Sequence, residues 1–269
     1  MDFISGLNLP EGKTKNWWFA FSNNRILVEE QSSGIKIPFL NEAEWIGTIF
    51  KSRHFFGNLD GNPCYSGEID ENFKIPEGFA LKDLRSLVGK ISNDLLFTAG
   101  RAFQLNTWDL TSNYCSQCGK PVILKPDEWA KICPECGNIK YHSANPAIMV
   151  AVHRDDKILL ARSHNQPPDF FSVLAGFLEP GESMEECVKR EVKEEVNINI
   201  KNIKYFGSQP YSPSNSIMIA FTAEYDSGEI EIDKSEIDTA GWFTKDNIPE
   251  ITPPSFFLAG QLIKAFVSR

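Results

Sequence analysis

The chain has 269 residues, 42% of them hydrophobic and 12% aromatic, which is enough for one or two globular domains with their own cores. A formal net charge of −9 argues against a general binder of nucleic-acid backbones or anionic membranes. No apolar run approaches the roughly 18 residues of a membrane span. Met1 to Leu9 lacks the basic start and apolar core of a secretory leader, so a cytoplasmic protein with reduced thiols and no membrane partner is expected.

Residues 1 to about 80 read as β-rich. Trp17 to Phe21 and Arg25 to Glu29 flank the turn residues Ser22-Asn23-Asn24. Arg53 to Leu59 and Cys64 to Ile69 flank Asp60-Gly61-Asn62-Pro63. Leu81 to Trp108 predicts helix through Leu81, Leu84, Leu87, Val88, Leu95, Phe97, Ala99 and Phe103. Asn145-Pro146 is expected to break the chain. Strands are predicted over Ile148–Val152, Ile158–Arg162, Phe171–Leu174, 203–208, 216–225 and 239–243. A closing helix is predicted from Ser255, as N-cap, to Val267.

Cys115-x2-Cys118-Gly and Cys133-x2-Cys136-Gly are two knuckles separated by fourteen residues. Four thiolates at this spacing predict a closed tetrahedral zinc site, which leaves no place for water and is therefore structural. A pair of disulfides is the alternative. Three lysines between Cys115 and Cys136 stand against Asp127, Glu128 and Glu135, so the ribbon carries no phosphate-binding footprint. Cys64 and Cys187 read as ordinary buried thiols.

The most informative stretch runs from Gly176 to Ile198. Gly176, Glu182, Arg190-Glu191 and Glu194-Glu195 follow G-x5-E-x7-R-E-U-x-E-E, with Val192 as the aliphatic U. Met184, Cys187, Val188, Val192 and Val196 form the apolar stripe of a helix from Ser183 to Val196, with Ser183 and Glu186 as a capping box. Glu191 and Glu195 then share one face beside Glu194. Like charges so placed destabilise a helix unless a cation or a basic side chain answers them, and Arg190 and Lys193 are the local candidates.

At this point the chain resembles the Nudix hydrolase family. It matches the family box at every position but Asn197, where the family has Gly and a left-handed backbone is expected. The resemblance implies an α/β/α sandwich with a mixed sheet, in an overall α+β chain. It also implies Mg²⁺ or Mn²⁺ bound for hydrolysis of a diphosphate. Glu191 and Glu195 become first-choice ligands, Glu194 a further ligand or the water-activating base, and the Ala175 carbonyl another ligand. Arg190 is expected to orient the glutamates, including Glu182. Domains are expected at 1–110, 111–143 (the ribbon) and 144–269.

The order of the three parts, with Ser208-Gln209-Pro210-Tyr211-Ser212-Pro213-Ser214-Asn215-Ser216, resembles the NADH pyrophosphatase branch, whose hallmark is S-Q-P-W-P-F-P-Q-S. Ser208, Gln209, Pro210 and Ser216 match and Tyr211 stays aromatic; the centre differs. The alternative is a Pro-rich surface loop. By this resemblance Phe177 stacks on nicotinamide, where the other reading is a core residue. Gln209, Pro210, Tyr211, Ser216, Tyr141, Glu128 and Ala259 complete the pocket. Arg85 is a candidate for substrate phosphate, its other reading an exposed surface arginine. Glu236, followed by Ala240-Gly241-Trp242-Phe243, matches a distant glutamate that completes the metal site; otherwise it is one more surface charge. The implied reaction converts NADH, or NAD⁺ less well, to AMP and nicotinamide mononucleotide, with NAD-capped RNA as a larger ligand containing the same bond, in a homodimer. The rivals are a Nudix enzyme for ADP-ribose or a diadenosine polyphosphate, and a non-catalytic zinc-ribbon binding module.

Overall fold

Two consecutive asparagines, Asn23 and Asn24, take positive φ values of 49° and 62° and close a two-residue hairpin. Asparagine is among the few residues that tolerate this region, and such turns match the twist of the strands they join. The computed structural model describes residues 2–7, 15–41, 49–70, 72–212 and 215–269. The chain divides into two units, Met1–Ser143 and Ala144–Arg269.

The first unit contains β1 (Phe3–Ser5), β2 (Lys15–Ser22), β3 (Arg25–Gln31), β4 (Gly34–Lys36), β5 (Phe39–Asn41), β6 (Phe50–Leu59), β7 (Asn62–Ile69) and β8 (Phe79–Asp83). They form one eight-stranded sheet in the order β1-β6-β7-β2-β3-β4, with β5 on β2 and β8 on β3. Trp18 and Leu27 are fully buried in its core, with Trp18 stacked on Tyr65 at 4.9 Å. Helix α1 (Asn93–Thr111) follows, capped by Ser92, whose side chain accepts the Leu95 N–H.

The expected helix from Leu81 to Trp108 is therefore only half present. Leu81 sits in β8 opposite Leu27 of β3, and Leu84–Leu87 form a short 3-10 turn. Strand pairing with residues more than fifty positions away overrides the local helical spacing. Gly89, at φ +73°, then interrupts the backbone before α1.

The ribbon strands β9 (Ile123–Leu124), β10 (Ala130–Ile132) and β11 (Ile139–Tyr141) form a three-stranded sheet within the first unit. Lys131, only 4% exposed, ties it to α1: its ammonium bonds the Asp109 carboxylate at 2.7 Å and the Asp109 carbonyl at 2.8 Å. His54 reaches the other oxygen of the same carboxylate at 2.9 Å. These partners hold the Asp109 carboxyl down to about 2 against the opposing effect of burial.

The second unit is built from β12 (Asn145–Arg154), β13 (Lys157–Ser163), β14 (Leu174–Phe177), α2 (Met184–Val196), β15 (Asn199–Tyr211), β16 (Ser216–Ser227), β17 (Ile237–Thr244) and α3 (Leu258–Val267). The sheet order is β15-β16-β12-β13-β17, with β14 on β12; the β12–β16 pair is parallel and the other pairs are antiparallel. Alternation along β12 sends Ile148, Val150 and Val152 to the α2 side, and Ala147 and Ala151 to the α3 side. This is an α/β/α sandwich around a mixed sheet.

Several local expectations are corrected here. The break expected at Asn145-Pro146 falls just before it, between Ser143 and Ala144, and Pro146 itself lies second in β12, opposite Ile217. The strand expected at Phe171–Leu174 is β14, three residues later, and it carries Gly176 inside it. Ser255 does not cap α3: the N-cap is Phe257, which makes no side-chain cap bond. Lys193 does not answer the glutamates, because its ammonium bonds the Asn197 carbonyl at 3.1 Å at the end of α2.

Candidate active site

Helix α2 forms as the sequence dictates. Ser183 caps it, and both bonds of the capping box with Glu186 are present. Asn197 ends it in the left-handed conformation at φ 58°, the geometry expected where the family box has glycine. Cys187, Val188, Val192 and Val196 are fully buried against the sheet. Burying each valine contributes roughly 1.5–3 kcal/mol. Like-charge repulsion between residues four apart costs only about 0.2–0.5 kcal/mol. Packing therefore wins, and the helix carries its glutamates in spite of their charge.

Arg190 is the hub of that charge. Its Nε and Nη2 donate to the two oxygens of Glu182 at 2.8 and 3.0 Å. Nη1 donates to Glu191 at 2.8 Å and to Glu194 at 2.9 Å. Nη2 also donates to the Phe177 carbonyl at 2.9 Å, which fastens the helix to the end of β14. The Arg190 bond holds Glu182 down to about 2, and Arg190 is itself held more firmly protonated than an ordinary arginine, first by Glu182.

Glu195 lies outside this network. It is 7% exposed, and among the described residues its Oε2 is buried with no hydrogen-bond partner. Burial, then the charges of Glu191, Glu236 and Glu194, push its carboxyl up to about 8. Glu191 is raised too, first by burial, against the pull of Arg190. Glu236 is far away in sequence but within electrostatic reach. The segment before it is stitched to the end of α2 by Glu231 N–H to the Val196 carbonyl (3.1 Å) and Asp233 N–H to the Glu195 carbonyl (3.0 Å).

A buried carboxylate oxygen without a donor, within the electrostatic reach of three more carboxylates, lacks a positive partner. An oxygen-rich set of this kind fits a hard divalent cation such as Mg²⁺ or Mn²⁺. The glutamates are not closed into a cage. Among the described residues, only the four cysteines form a set of three or more His, Cys, Asp or Glu side chains whose ligand atoms all lie within 4.8 Å of one another. Arg190 holds Glu191 and Glu194, leaving Glu195 as the carboxylate with an unanswered oxygen.

The residues expected at the substrate gather mostly on the opposite face of the sheet. Phe177 pairs with Ala147, which faces α3; Gln209 pairs with Met218 and Tyr211 with Ser216 on that same side. Phe177 is 55% exposed, so it is not a core residue. Tyr211 packs partly buried in the α3-side core, Ala259 is buried there at 4% exposure, and Ser216 is fully buried. Gln209 bonds the backbone of Phe256 and Leu258, and Pro210 is exposed on the α2 side opposite Ile217. Ser208 to Tyr211 is thus edge strand rather than loop, a position where a sheet tolerates proline. Pro213 and Ser214 lie outside the described residues. Ala175 sits in β14 opposite Met149, next to Gly176.

Three further expectations fall in the first unit. Glu128 is bound to Lys125; Tyr141 ends β11 at 56% exposure; Arg85 is exposed, with its N–H on Asp83 at 2.8 Å. Sequence reasoning missed Phe256 and Leu258, the partners of Gln209. They lie 47 and 49 residues from it, and no local pattern marks them.

In the ribbon, Cys115 and Cys136 sulfurs are 3.6 Å apart, and those of Cys118 and Cys133 are 3.5 Å apart. All six cysteines of the chain are free. These spacings are too long for disulfides and close to the roughly 3.8 Å edge of a tetrahedron with about 2.3 Å Zn–S bonds. Gly119 and Gly137, at φ +71° and +73°, return their N–H groups to the Cys115 and Cys133 carbonyls at 2.9 Å. Backbone N–H groups of Cys118 and Cys136 lower the Cys115 and Cys133 thiols, while hydrogen bonds from the neighbouring sulfurs raise those of Cys118 and Cys136. The site fits a structural Zn²⁺ and corrects the disulfide alternative.

Comparison with known proteins follows the same division. Residues 144–259 match the NUDIX domain, residues 15–108 the NADH pyrophosphatase-like rudimentary NUDIX domain, and residues 110–141 the NADH pyrophosphatase zinc ribbon domain. The chain is 43% identical over 260 residues to the NAD-capped RNA hydrolase NudC of Chromobacterium violaceum, covering 97% of this chain and 95% of that one. It is 36% identical over 256 residues to the protein of the same name from Stutzerimonas stutzeri, covering 94% and 90%. The chain belongs to the Nudix hydrolase family, in its zinc-ribbon-containing NADH pyrophosphatase branch.

Proposed function

We propose that this chain hydrolyses the diphosphate bridge of NADH, and of NAD⁺ less well, to AMP and the nicotinamide mononucleotide. The same bond at the 5′ end of NAD-capped RNA is a further substrate. The observation that carries the chemistry is the buried, unpartnered oxygen of Glu195 among Glu191, Glu194 and Glu236. The names of the relatives support the substrate class.

Glu191 and Glu195 would hold Mg²⁺ or Mn²⁺, with Glu194, Glu236 and the Ala175 carbonyl as further ligands. A bound cation neutralises charge on phosphate oxygens and lowers the pKa of water. Glu194, with a side chain 58% exposed and one oxygen on Arg190, reaches solvent and would serve instead as the base that takes the proton of the attacking water. Arg190 orients Glu182, Glu191 and Glu194 and pins the Phe177 carbonyl. Water attacks one phosphorus, the P–O–P bridge breaks, and two monophosphates leave; no covalent intermediate with the protein is needed. The exposed Phe177 ring offers a stacking surface for the nicotinamide, a contact worth roughly 1–3 kcal/mol. Gln209, Tyr211, Ser216 and Ala259 are proposed around it on the same face; the roles of Pro210, Tyr141, Glu128 and Arg85 rest on the family resemblance alone.

The division at 1–110, 111–143 and 144–269 and a cytoplasmic location follow from the reading of the sequence, and a homodimer rests on the family resemblance. A non-catalytic zinc-ribbon module is disfavoured because Glu191, Glu194 and Glu195 are all retained. Product analysis on NADH, NAD⁺, ADP-ribose and NAD-capped RNA, with Mg²⁺ or Mn²⁺, tests the substrate. AMP with reduced nicotinamide mononucleotide is expected from NADH; far faster turnover of ADP-ribose would sink the assignment.

A further inference from the structure

Glu236 is exposed and stands just before β17, so core packing does not hold it. The segment that carries it is anchored at both ends by hydrogen bonds instead. At one end the Asp233 N–H on the Glu195 carbonyl ties it to α2. At the other end stands His164, the residue after β13. Its backbone N–H donates to the Glu236 carbonyl at 3.1 Å. Its ring Nε2 meets the Lys234 carbonyl at 2.7 Å, and its Nδ1 meets the Asp238 carboxylate at 2.5 Å. A carbonyl and a carboxylate both accept, so each ring nitrogen is placed to donate. One residue thus holds positions 234, 236 and 238.

The sheet makes room for this contact. β13 and β17 pair Arg162 with Thr239 and Ser163 with Ile237, which leaves Asp238 as an extra residue in β17. Such a bulge re-aims a side chain. Here each oxygen of the Asp238 carboxylate has its own partner: Oδ1 faces His164, and Oδ2 lies 3.2 Å from Arg162. The segment so held matters to α2, because the Glu236 charge, after burial and Glu191, is among those that raise Glu195.

We propose that His164 is a positioning residue: with Asp238 and Arg162 it clamps the segment that presents Glu236 to the α2 glutamates, and so sets the affinity of the divalent-cation site. The link to the cation rests on the reading above, in which Glu236 is a ligand; the clamp does not depend on it.

The test uses full-length, zinc-loaded protein and the variants His164→Ala, Glu236→Gln and the two combined. The His164 side chain is 42% exposed, so truncating it leaves the core intact. Hydrogen exchange is followed without Mg²⁺ or Mn²⁺, and Mn²⁺ affinity is measured by electron paramagnetic resonance without substrate. Exchange at residues 233–237 should accelerate roughly fivefold in His164→Ala. Its Mn²⁺ affinity should fall about tenfold or more, the usual consequence of losing a side chain that orients a metal ligand. By charge alone, removing a proton-bearing ring near a cation would tighten binding, so weaker binding reports geometry. Glu236→Gln should lose at least as much, and adding His164→Ala to it should change Mn²⁺ affinity no further. Wild-type or tighter Mn²⁺ binding by a folded His164→Ala would overturn the proposal. So would a further loss of about tenfold in the double variant. Glu236→Gln that binds Mn²⁺ like the wild type would instead remove Glu236 from the metal set, while faster exchange in His164→Ala would still uphold the clamp.

Discussion

Glu191 occupies the space that a side chain on Gly176 would need. A Cβ there would lie 1.8 Å from Glu191 Cδ and 2.0 Å from its Oε1. The glycine that opens the family box is thus required by a carboxylate fifteen residues later, and not by an unusual φ. Gly176→Ala is predicted to push Glu191 aside while Arg190 keeps its other partners. A displacement of about 1 Å at a reacting centre can cost on the order of 100-fold in rate. NADH hydrolysis by this variant should fall by that order with little change in melting temperature. Wild-type kcat/KM would show that Glu191 has no fixed place in the chemistry.

Glu195 makes stability depend on pH when divalent cations are chelated. Its carboxyl is raised to about 8, whereas an unfolded glutamate titrates near about 4.3. A raised pKa means that the folded state prefers the protonated form. That contribution is complete below about 4.3 and is lost as pH rises through about 8. In chelator, Glu195→Gln should therefore be the more stable protein at pH 9, by on the order of a few kcal/mol. Adding Mg²⁺ should stabilise the wild type more than the variant. Melting curves across pH, with and without Mg²⁺, measure this; parallel curves for the two proteins would refute it.

On the far side of the sheet, His153 is held neutral. Its ring stacks on Phe266 at 5.5 Å, and Arg269 approaches its Nε2 at 3.2 Å. Burial and then the Arg269 charge lower it to about 4. A depressed pKa gives stability that is present above the unfolded value of about 6.5 and lost as pH falls through about 4. His153→Phe should flatten that acid limb in melting experiments between pH 7 and pH 4. An acid limb identical to the wild type's would contradict the assignment.

The ribbon should depend on its metal. Four thiolates that bind only in the folded state make metal affinity part of folding free energy. Strong chelation, or Cys118→Ser, should destabilise the ribbon and release about one zinc per chain. Metal analysis of the purified protein checks the count, and thermal unfolding checks the stability. Protein free of zinc with an unchanged melting temperature would remove the ribbon site.

The parts that read well from sequence are those whose logic is local. Helix α2 is legible through its apolar spacing, its Ser183–Glu186 cap and its αL end at Asn197, all within fifteen residues. The two C-x2-C-G knuckles carry their own turns. What sequence misreads is decided at a distance. Leu81 reads as helix by spacing but pairs with Leu27 across the sheet. Ser255 looks like a cap, yet the acceptor for α3 comes from Gln209 on another element. Glu236 is reached by family resemblance alone; the backbone bonds that bring its segment to α2 leave no trace in the pattern of residues.

The central claim is that the α2 glutamates, with a divalent cation, carry the hydrolysis. It is tested most directly by the rate of NADH cleavage by Glu195→Gln at saturating Mg²⁺ or Mn²⁺, alongside proof that the variant is folded. A loss of roughly three or more orders of magnitude is expected, since one charged ligand and its electrostatic contribution disappear together. A folded variant that cleaves NADH at the wild-type rate would contradict the account.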